Sequence, residues 1–170
     1  MKIDNKFAEQ LTLALDDPKS ASQEAIAQLL FMSAGQLSRI KNATRATDKS
    51  IRVGLAHVLH DVFLAFSGAR NDYGLLSFLK DTTKHDDVIT SLFRQKKEEN
   101  DRRALEESFD EAMTTKKELR SPQQILLIND YFREYAEEIM AEHTDIAKKA
   151  EYAGINVQDV FDKANANYGG

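Results

Sequence analysis

The chain has 170 residues, no cysteine and a formal net charge of −5. The lack of cysteine excludes disulfide bonds, thiolate zinc sites and cysteine nucleophiles, and it fits a reducing compartment. No apolar run approaches the roughly 20 residues that a membrane-spanning helix needs, and the N-terminal segment has no signal-peptide core. We therefore expect a soluble, cytoplasmic protein that does not enter a membrane. Only seven glycines and two prolines are present, and no long alternation of apolar and polar residues indicates a sheet, so we predict an all-α fold.

The charged residues are unevenly distributed along the chain. Residues 71–170 carry 14 basic and 21 acidic side chains, whereas residues 33–54 carry five basic side chains and one acidic one. The five basic residues are Arg39, Lys41, Arg45, Lys49 and Arg52. A local positive patch on an otherwise acidic chain is typical of a small DNA-binding domain joined to a part that does not bind DNA. Charged helical proteins show such fluctuations by chance, so the patch alone is weak evidence.

The N-terminal part is predicted to be a series of short helices. The apolar residues recur three and four positions apart, and each such run follows a residue that caps helices well. The predicted caps are Asp4 or Asn5, Ser22, Ser33, and Thr47 or Asp48. The last of these helices contains Ile51 to Leu59, and it continues or restarts through residues 62–66.

The two helices that follow Ser22 and Ser33 are joined by a very short turn. The second of them, Ala34 to Lys41, has Leu37 and Ile40 on its inner face and polar residues on its outer face. Two short helices with this spacing form the helix-turn-helix pattern. The second helix is short enough to lie in a DNA major groove, which is about 12 Å wide.

This stretch resembles a known family. The order Ser-Gln-x-x-Ile-Ala-x-x-Leu from Ser22, followed by a Ser cap and Leu-x-x-Ile, is similar to the phage Cro/repressor type of helix-turn-helix, called Xre-like, over residues 6–66. Phe31 replaces the usual Gly of the turn, and Ala43 replaces the Gly after the recognition helix. A non-Gly residue at positive φ costs on the order of 1 kcal/mol. The resemblance implies a five-helix, lambda-repressor-like domain whose first helix packs behind the motif.

The resemblance also implies which residues face DNA. They are Gln23, Ser33, Ala34, Gly35, Gln36, Ser38, Arg39, Lys41, Arg45 and Lys49. Arg39 is the strongest candidate for a base contact, because a guanidinium can bond O6 and N7 of guanine together, worth about 1–3 kcal/mol of discrimination. Gln36 can contact adenine in the same way or bind phosphate. Gln23, at a helix N-terminus, is expected to donate to a phosphate, and Lys41, Arg45 and Lys49 are phosphate candidates. For each cation taken alone, a solvated surface charge is the alternative.

A linker is predicted at residues 67–72, where Gly68 lies among turn-forming residues. It divides the chain into a helix-turn-helix domain over residues 1–67 and a helical C-terminal domain over residues 72–170, which serves oligomerisation or regulation. Within the second domain, the polar run 94–103 is either a solvated helical stretch or the exposed part of a longer helix.

The longest predicted helix begins at Ser121-Pro122 and ends at Ala153-Gly154. The apolar residues along it recur at steps of mostly three and four. Those expected to form a dimer interface are Ile125, Ile128, Phe132, Tyr135, Ile139 and Ile146. The alternative is that they pack within the chain against residues 88–113.

The sequence contains little that indicates catalysis. His57 and His60 lie three residues apart, but a metal site needs a third ligand. The pairs Glu106-Glu107 and Glu137-Glu138 lie on charged helix faces, where nothing desolvates them. There is no Gly-rich phosphate loop, no His-Glu-x-x-His and no Gly-x-Ser-x-Gly. We expect neither an enzyme nor a metal or cofactor site.

Two functions remain open at this stage. The first is a sequence-specific DNA-binding transcriptional regulator, resembling a phage or mobile-element repressor, that binds operator DNA as a dimer. The alternative is a protein-interaction module, such as an antirepressor or an inhibitor of a host factor. The small number of base-contacting side chains and the acidic C-terminal half motivate the alternative, since those helices can also bind a protein partner.

Overall fold

The computed structural model describes residues 3–77 and 87–168, and within them all the regular structure is helical, which confirms the all-α prediction. The helices are α1 (Asn5–Leu15), α2 (Gln23–Leu29), α3 (Ala34–Lys41), α4 (Lys49–Leu59), α5 (Val62–Tyr73), α6 (Val88–Thr114), α7 (Pro122–Tyr152) and α8 (Val157–Tyr168), with a 3-10 turn at Lys117–Leu119. Among these described helices, none combines the length and the apolar character that crossing a membrane requires.

The chain forms two compact units. The first comprises Met1–Thr83 together with Gly154–Gly170, and the second comprises Lys84–Ala153. The predicted boundary differs from this division, because α8 belongs to the first unit and not to the C-terminal domain. Val157 of α8 is buried, and the Phe161 ring contacts the Phe66 ring of α5 edge to face, with centroids 6.5 Å apart.

The predicted linker at residues 67–72 is wrong, since α5 runs through it. Ser67 and Gly68 are both buried in that helix. A Cβ added to Gly68 would lie 3.6 Å from Arg52 Cβ and 3.8 Å from the Phe7 ring. This glycine therefore marks a position where helices pack closely, and not a flexible connection. Directly after α5, Gly74 to Ser77 have no regular secondary structure.

The core of the first unit holds its five N-terminal helices together. Helix α1 packs on α3 and α5, α2 packs on α3 and α4, and α4 packs on α5. The buried core side chains are Phe7, Leu11, Ala14, Leu15, Ile26, Ala27, Leu37, Ile40, Leu55 and Leu64. Asp4, Ser22, Ser33 and Asp48 cap the first four helices as predicted, and the fourth ends at His60 so that a fifth restarts with Asp61 as its cap.

Asp4 joins the two ends of this five-helix assembly. Its carboxylate caps α1 by accepting from the Phe7 N–H at 3.2 Å, and it also accepts from Arg70 and Asn71 of α5 at 2.7 Å. Partial burial alone would raise the pKa of Asp4, but the hydrogen bonds from Phe7, Asn71 and Arg70 outweigh it and lower the pKa below 3.8. The charged form is therefore the one that stabilises the fold.

The second unit is a hairpin of two long helices. Helices α6 and α7 pack along their length, with the Phe109 and Tyr131 rings stacked at 3.8 Å. The polar run 94–103 lies inside α6, so it is part of a long helix. The expectation that Glu138 stays solvated is wrong: it is 5% exposed and accepts a hydrogen bond from Arg102. That hydrogen bond raises the pKa of Arg102.

Replacing Asp4 with Asn should make the stability of the chain less dependent on pH. Asn keeps the capping oxygen but removes the charge, so we expect Asp4→Asn to lower the free energy of unfolding at pH 7 by about 1–2 kcal/mol. A group with a lowered pKa stabilises the fold above its unfolded value and loses this effect as the pH falls through the folded pKa. Urea denaturation from pH 7 to pH 2.5 should show the two chains converging below pH 4. Glu9→Gln, an exposed change on α1, is the control, and an Asp4→Asn difference that does not vary with pH would contradict the assignment.

Candidate nucleic-acid interface

Helix α3 is fixed at its start by a reciprocal pair of hydrogen bonds. The Gln36 N–H donates to Ser33 Oγ at 3.2 Å, and the Ser33 N–H donates to Gln36 Oε1 at 2.9 Å. This capping box satisfies two backbone donors at the helix N-terminus. Leu37 and Ile40 are buried on the inner face of the helix, as predicted from their spacing. The first turn of α3 is therefore held rigidly, with its inner side anchored in the core.

Two helix ends define the angle at which α3 is presented. Phe31, after α2, and Ala43, after α3, both have φ of 53°, in the left-handed region. At the first end, the Met32 N–H donates to the Ala27 carbonyl at 2.9 Å and the Phe31 N–H to the Gln28 carbonyl at 3.1 Å. The second end has the same pattern: the Thr44 N–H donates to the Arg39 carbonyl at 2.9 Å. Both are Schellman ends, which glycine usually occupies, so the turns keep this geometry although the glycines are missing.

The outer surface of α3 contains both small residues and Arg39. Ala34, Gly35 and Arg39 are exposed, and a Cβ built on Gly35 meets nothing within 4 Å. A surface with small side chains allows close approach of a ligand to the helix backbone. The Arg39 Nε–H donates to the Gly35 carbonyl at 3.2 Å, which directs the side chain back along the helix toward its first turn.

The remaining polar residues of α3 are partly engaged. The Gln36 carbonyl oxygen serves the capping box, so its amide nitrogen is the atom that remains for a ligand. Ser38 is half-buried, and its Oγ accepts from Asn42 Nδ2 at 3.4 Å. Asn42 is an exposed polar residue on this surface that the sequence prediction missed, although its position four residues after Ser38 was a usable signal.

Two arginines of the predicted patch lie on α3 or shortly after its end. Arg39 and Arg45 are both exposed. Neither guanidinium has an ion-pair partner among the residues that the structure describes. Gln23 is the first residue of α2, directly after the Ser22 cap, and it is half-buried. A helix N-terminus favours anionic ligands, because unpaired N–H groups and the helix dipole point toward them.

Three of the five basic residues of the predicted patch have partners within the first unit, and two of these partners are carboxylates, so the net positive charge of the patch is smaller than expected. Lys41 Nζ lies 2.8 Å from the Asp16 carboxylate at the end of α1. Lys49 Nζ bonds to the Tyr73 hydroxyl, which raises the pKa of Lys49. Arg52 is 8% exposed and pairs with Asp72. Local sequence spacing could not indicate these pairings, because each partner lies 20 or more residues away.

The two histidines lie together on a cleft of the first unit. His57 and His60 are exposed, and their rings stack with centroids 6.3 Å apart. They line a cleft of about 330 Å³ between α4, α5 and α8, to which α8 contributes Asp159 and Asp162. This cleft was not predicted, because α8 was assigned to the other domain.

The apolar residues of α7 named as a dimer interface are only partly covered within the hairpin, where the Phe132 ring contacts the Phe109 ring of α6 edge to face, with centroids 5.6 Å apart. Four of them are between 41% and 55% exposed: Ile125, Phe132, Tyr135 and Ile146. Ile128 and Ile139 are half-buried. The buried face of α7 is different and more polar, and it consists of Tyr131, Glu138, Ala141, Asp145, Ala147 and Lys148. The helix therefore packs within the hairpin mainly through a face other than its most apolar one.

Comparison of the chain with models of protein families, with curated proteins and with solved structures finds no significant match.

Phe31 is a position where a substitution should stabilise the protein. Its side chain is 99% exposed while its backbone adopts the left-handed conformation that glycine and asparagine tolerate best. We expect Phe31→Gly and Phe31→Asn to raise the free energy of unfolding by about 0.5–1 kcal/mol in urea denaturation. Phe31→Leu, which keeps the strain, should change nothing. A loss of stability in both the Gly and Asn variants would show that the ring packs against the protein.

Proposed function

We propose that this chain is a sequence-specific DNA-binding regulator that inserts α3 into the major groove and binds as a homodimer. The observation that supports this most is the arrangement of α3. Its inner face is anchored through Leu37 and Ile40, its N-terminus is fixed by the capping box, and its outer face exposes Ala34, Gly35 and Arg39. A short, rigid, capped helix with a small-residue surface and a guanidinium whose charge is not paired with a described carboxylate suits base contacts in a groove.

The proposed contacts fall into two classes. Arg39 is proposed to contact a guanine, and the amide of Gln36 an adenine or a phosphate, because these groups match base edges. Arg45 and the N-terminus of α2 at Gln23 are proposed to bind phosphates, which position the protein without selecting sequence. Lys41 is left out of the proposed contacts, because its ion pair with Asp16 ties α3 to α1.

Dimerisation is proposed through the exposed apolar face of α7. Ile125, Phe132, Ile139 and Ile146 lie seven residues apart, with Ile128 and Tyr135 between them, which is the heptad spacing of a coiled-coil interface. A second copy of the chain presents the same apolar face, so the α7 helices of two copies can pack against each other. A single small module buries only roughly 600–1,000 Å² on DNA, so two half-sites about 34 Å apart increase affinity greatly.

A protein-binding role is the second candidate, and a specific observation favours it. Leu29 and Phe31, at the turn between α2 and α3, are 61% and 99% exposed. Exposed apolar side chains beside the motif suit a protein partner better than a phosphate backbone. The two functions separate in a salt titration on duplex DNA. DNA binding should weaken with a log K versus log salt slope of about −0.9 per neutralised phosphate, whereas no retention at low salt favours the protein partner.

Substituting Arg39 should reduce sequence discrimination more than overall affinity. Fluorescence anisotropy should compare the binding of Arg39→Ala to a duplex selected for binding and to a scrambled one. The ratio of the two affinities should fall about 5- to 150-fold, which corresponds to about 1–3 kcal/mol for a lost bidentate contact. Arg45→Ala should weaken both duplexes equally and reduce the salt slope by about 0.9.

The matched control is Arg94→Ala, which removes an exposed arginine of α6 in the second unit. It should leave both affinities and the salt slope unchanged. An Arg39→Ala protein that discriminates as well as the original chain would contradict the assignment of a base contact.

A charge within the heptad of α7 should prevent dimerisation. Light scattering coupled to gel filtration at tens of micromolar should give about twice the 19.2 kDa chain mass for the original protein. Phe132→Glu should give the monomer mass, since it would bury a charge in an apolar interface. Leu126→Glu is the control, because Leu126 is also exposed on α7, at 64% against 55% for Phe132, but lies outside the heptad positions. A monomeric original chain, or a dimeric Phe132→Glu variant, would overturn the proposed interface.

A further inference from the structure

Three glutamates come together on the facing helices of the second unit. Glu98 lies on α6, and Glu134 and Glu137 lie one turn apart on α7. One carboxylate oxygen of each lies within 4.8 Å of the corresponding oxygens of the other two. Carboxylates this close repel one another unless a positive charge lies among them.

Glu98 is the member that distinguishes this group from a solvated acidic surface. It is only 8% exposed, although its neighbours in the sequence are charged and mostly solvated. Its Oε2 is fully buried and has no hydrogen-bond donor among the described residues. Nearly all buried polar atoms in proteins have a partner, so this oxygen requires an explanation that the described side chains do not supply.

The nearby cations contact carboxylate oxygens other than Glu98 Oε2, including those of Glu134 and Glu137. Lys97 Nζ lies 3.5 Å from Oε1 of Glu98, the other oxygen, but 2.7 Å from Asp101. Arg133 lies 2.8 Å from Glu134 and 3.6 Å from Glu137, and its side chain is 58% exposed.

Arg102 also lies on this side of α6, where it pairs with Glu138 and Glu106. None of these three cations provides a hydrogen bond to Glu98 Oε2. The positive charge available locally is therefore already shared, and the buried oxygen remains without a partner.

We propose that Glu98, Glu134 and Glu137 bind one hard divalent cation of the size of Ca²⁺, which bridges α6 and α7. A donor set of carboxylate oxygens alone, without nitrogen or sulfur, selects hard cations. Calcium–oxygen distances of about 2.3–2.6 Å allow two ligand oxygens to lie up to about 5 Å apart, which covers the observed limit. Magnesium demands near-ideal octahedral geometry at about 2.0–2.1 Å and dehydrates reluctantly, so we expect three glutamates on two helices to bind it less tightly. Water completes the coordination.

This site goes beyond the proposed function and does not depend on it. The glutamates belong to the second unit, whereas the proposed DNA contacts belong to the first. Cation binding would fasten the two helices of the hairpin to each other, because ligands come from both.

Isothermal titration of the full chain, first stripped with EDTA, tests the site with CaCl₂. We expect one Ca²⁺ per chain with a Kd of roughly 10⁻⁴–10⁻³ M, and weaker binding of MgCl₂. Glu98→Gln should weaken Ca²⁺ binding at least tenfold, and so should Glu137→Gln, which alters a half-buried ligand in case the first variant does not fold. Glu107→Gln, an exposed change on α6, should leave the affinity unchanged.

A thermal melt distinguishes cation binding from a purely structural role of the glutamates. The melting temperature of the original chain should rise with CaCl₂, and that of Glu98→Gln should not. In EDTA the variant should be at least as stable as the original chain, since it removes the repulsion between Glu98 and the other two carboxylates. No saturable Ca²⁺ binding to the original chain at 10 mM would overturn the proposal. Unchanged affinity in both the Glu98→Gln and Glu137→Gln variants would overturn it as well.

Discussion

The anchoring of α3 through Leu37 and Ile40 is the constraint on which the first unit depends. Helices shorter than about 12–15 residues are only marginally stable on their own, and α3 has eight residues. Its stability must therefore come from burial against the surrounding core and from the capping box at Ser33. The two left-handed residues, Phe31 and Ala43, set where the chain enters and leaves the helix. This combination fixes a short helix so that its outer face can meet a ligand without reorganising.

The second unit differs from the first in the kind of side chain that its helices bury. Within the hairpin, α7 presents a mostly polar face to α6, where pairs such as Arg102 with Glu138 and Ser91 with Asp145 satisfy buried charges. The more apolar face stays about half exposed, as Phe132 does at 55%. Burying a charged face and exposing an apolar one is unfavourable for an isolated hairpin. Both proposals for this unit, a second copy on the apolar face and a cation among the glutamates, would relieve that imbalance.

The sequence predicted the features that depend on neighbouring residues. Caps such as Ser22 and Ser33, and the inward positions of Leu37 and Ile40, follow from spacings of three or four residues, and the structure confirms them. Phe31 and Ala43, which stand where glycine was expected in the two turns, both adopt positive φ.

Features that depend on distant partners were not predictable in this way. The pairing of Arg52 with Asp72 spans 20 residues, and α8 joins the first unit after the whole hairpin has intervened. Glu98 looked solvated because it lies in a run of charged residues, and only the tertiary structure buries it. Of the proposed interface, the helix and its exposed face were therefore predictable, but the number of basic side chains without a carboxylate partner was not.

The most direct test of operator binding by α3 is to select bound sequences from a pool of random duplexes at low salt, using the protein described here. We expect an enriched inverted repeat whose half-sites are about one helical turn apart, or a multiple of it, because two copies of α3 would then meet equivalent major grooves. A pool that shows no enrichment would contradict the account.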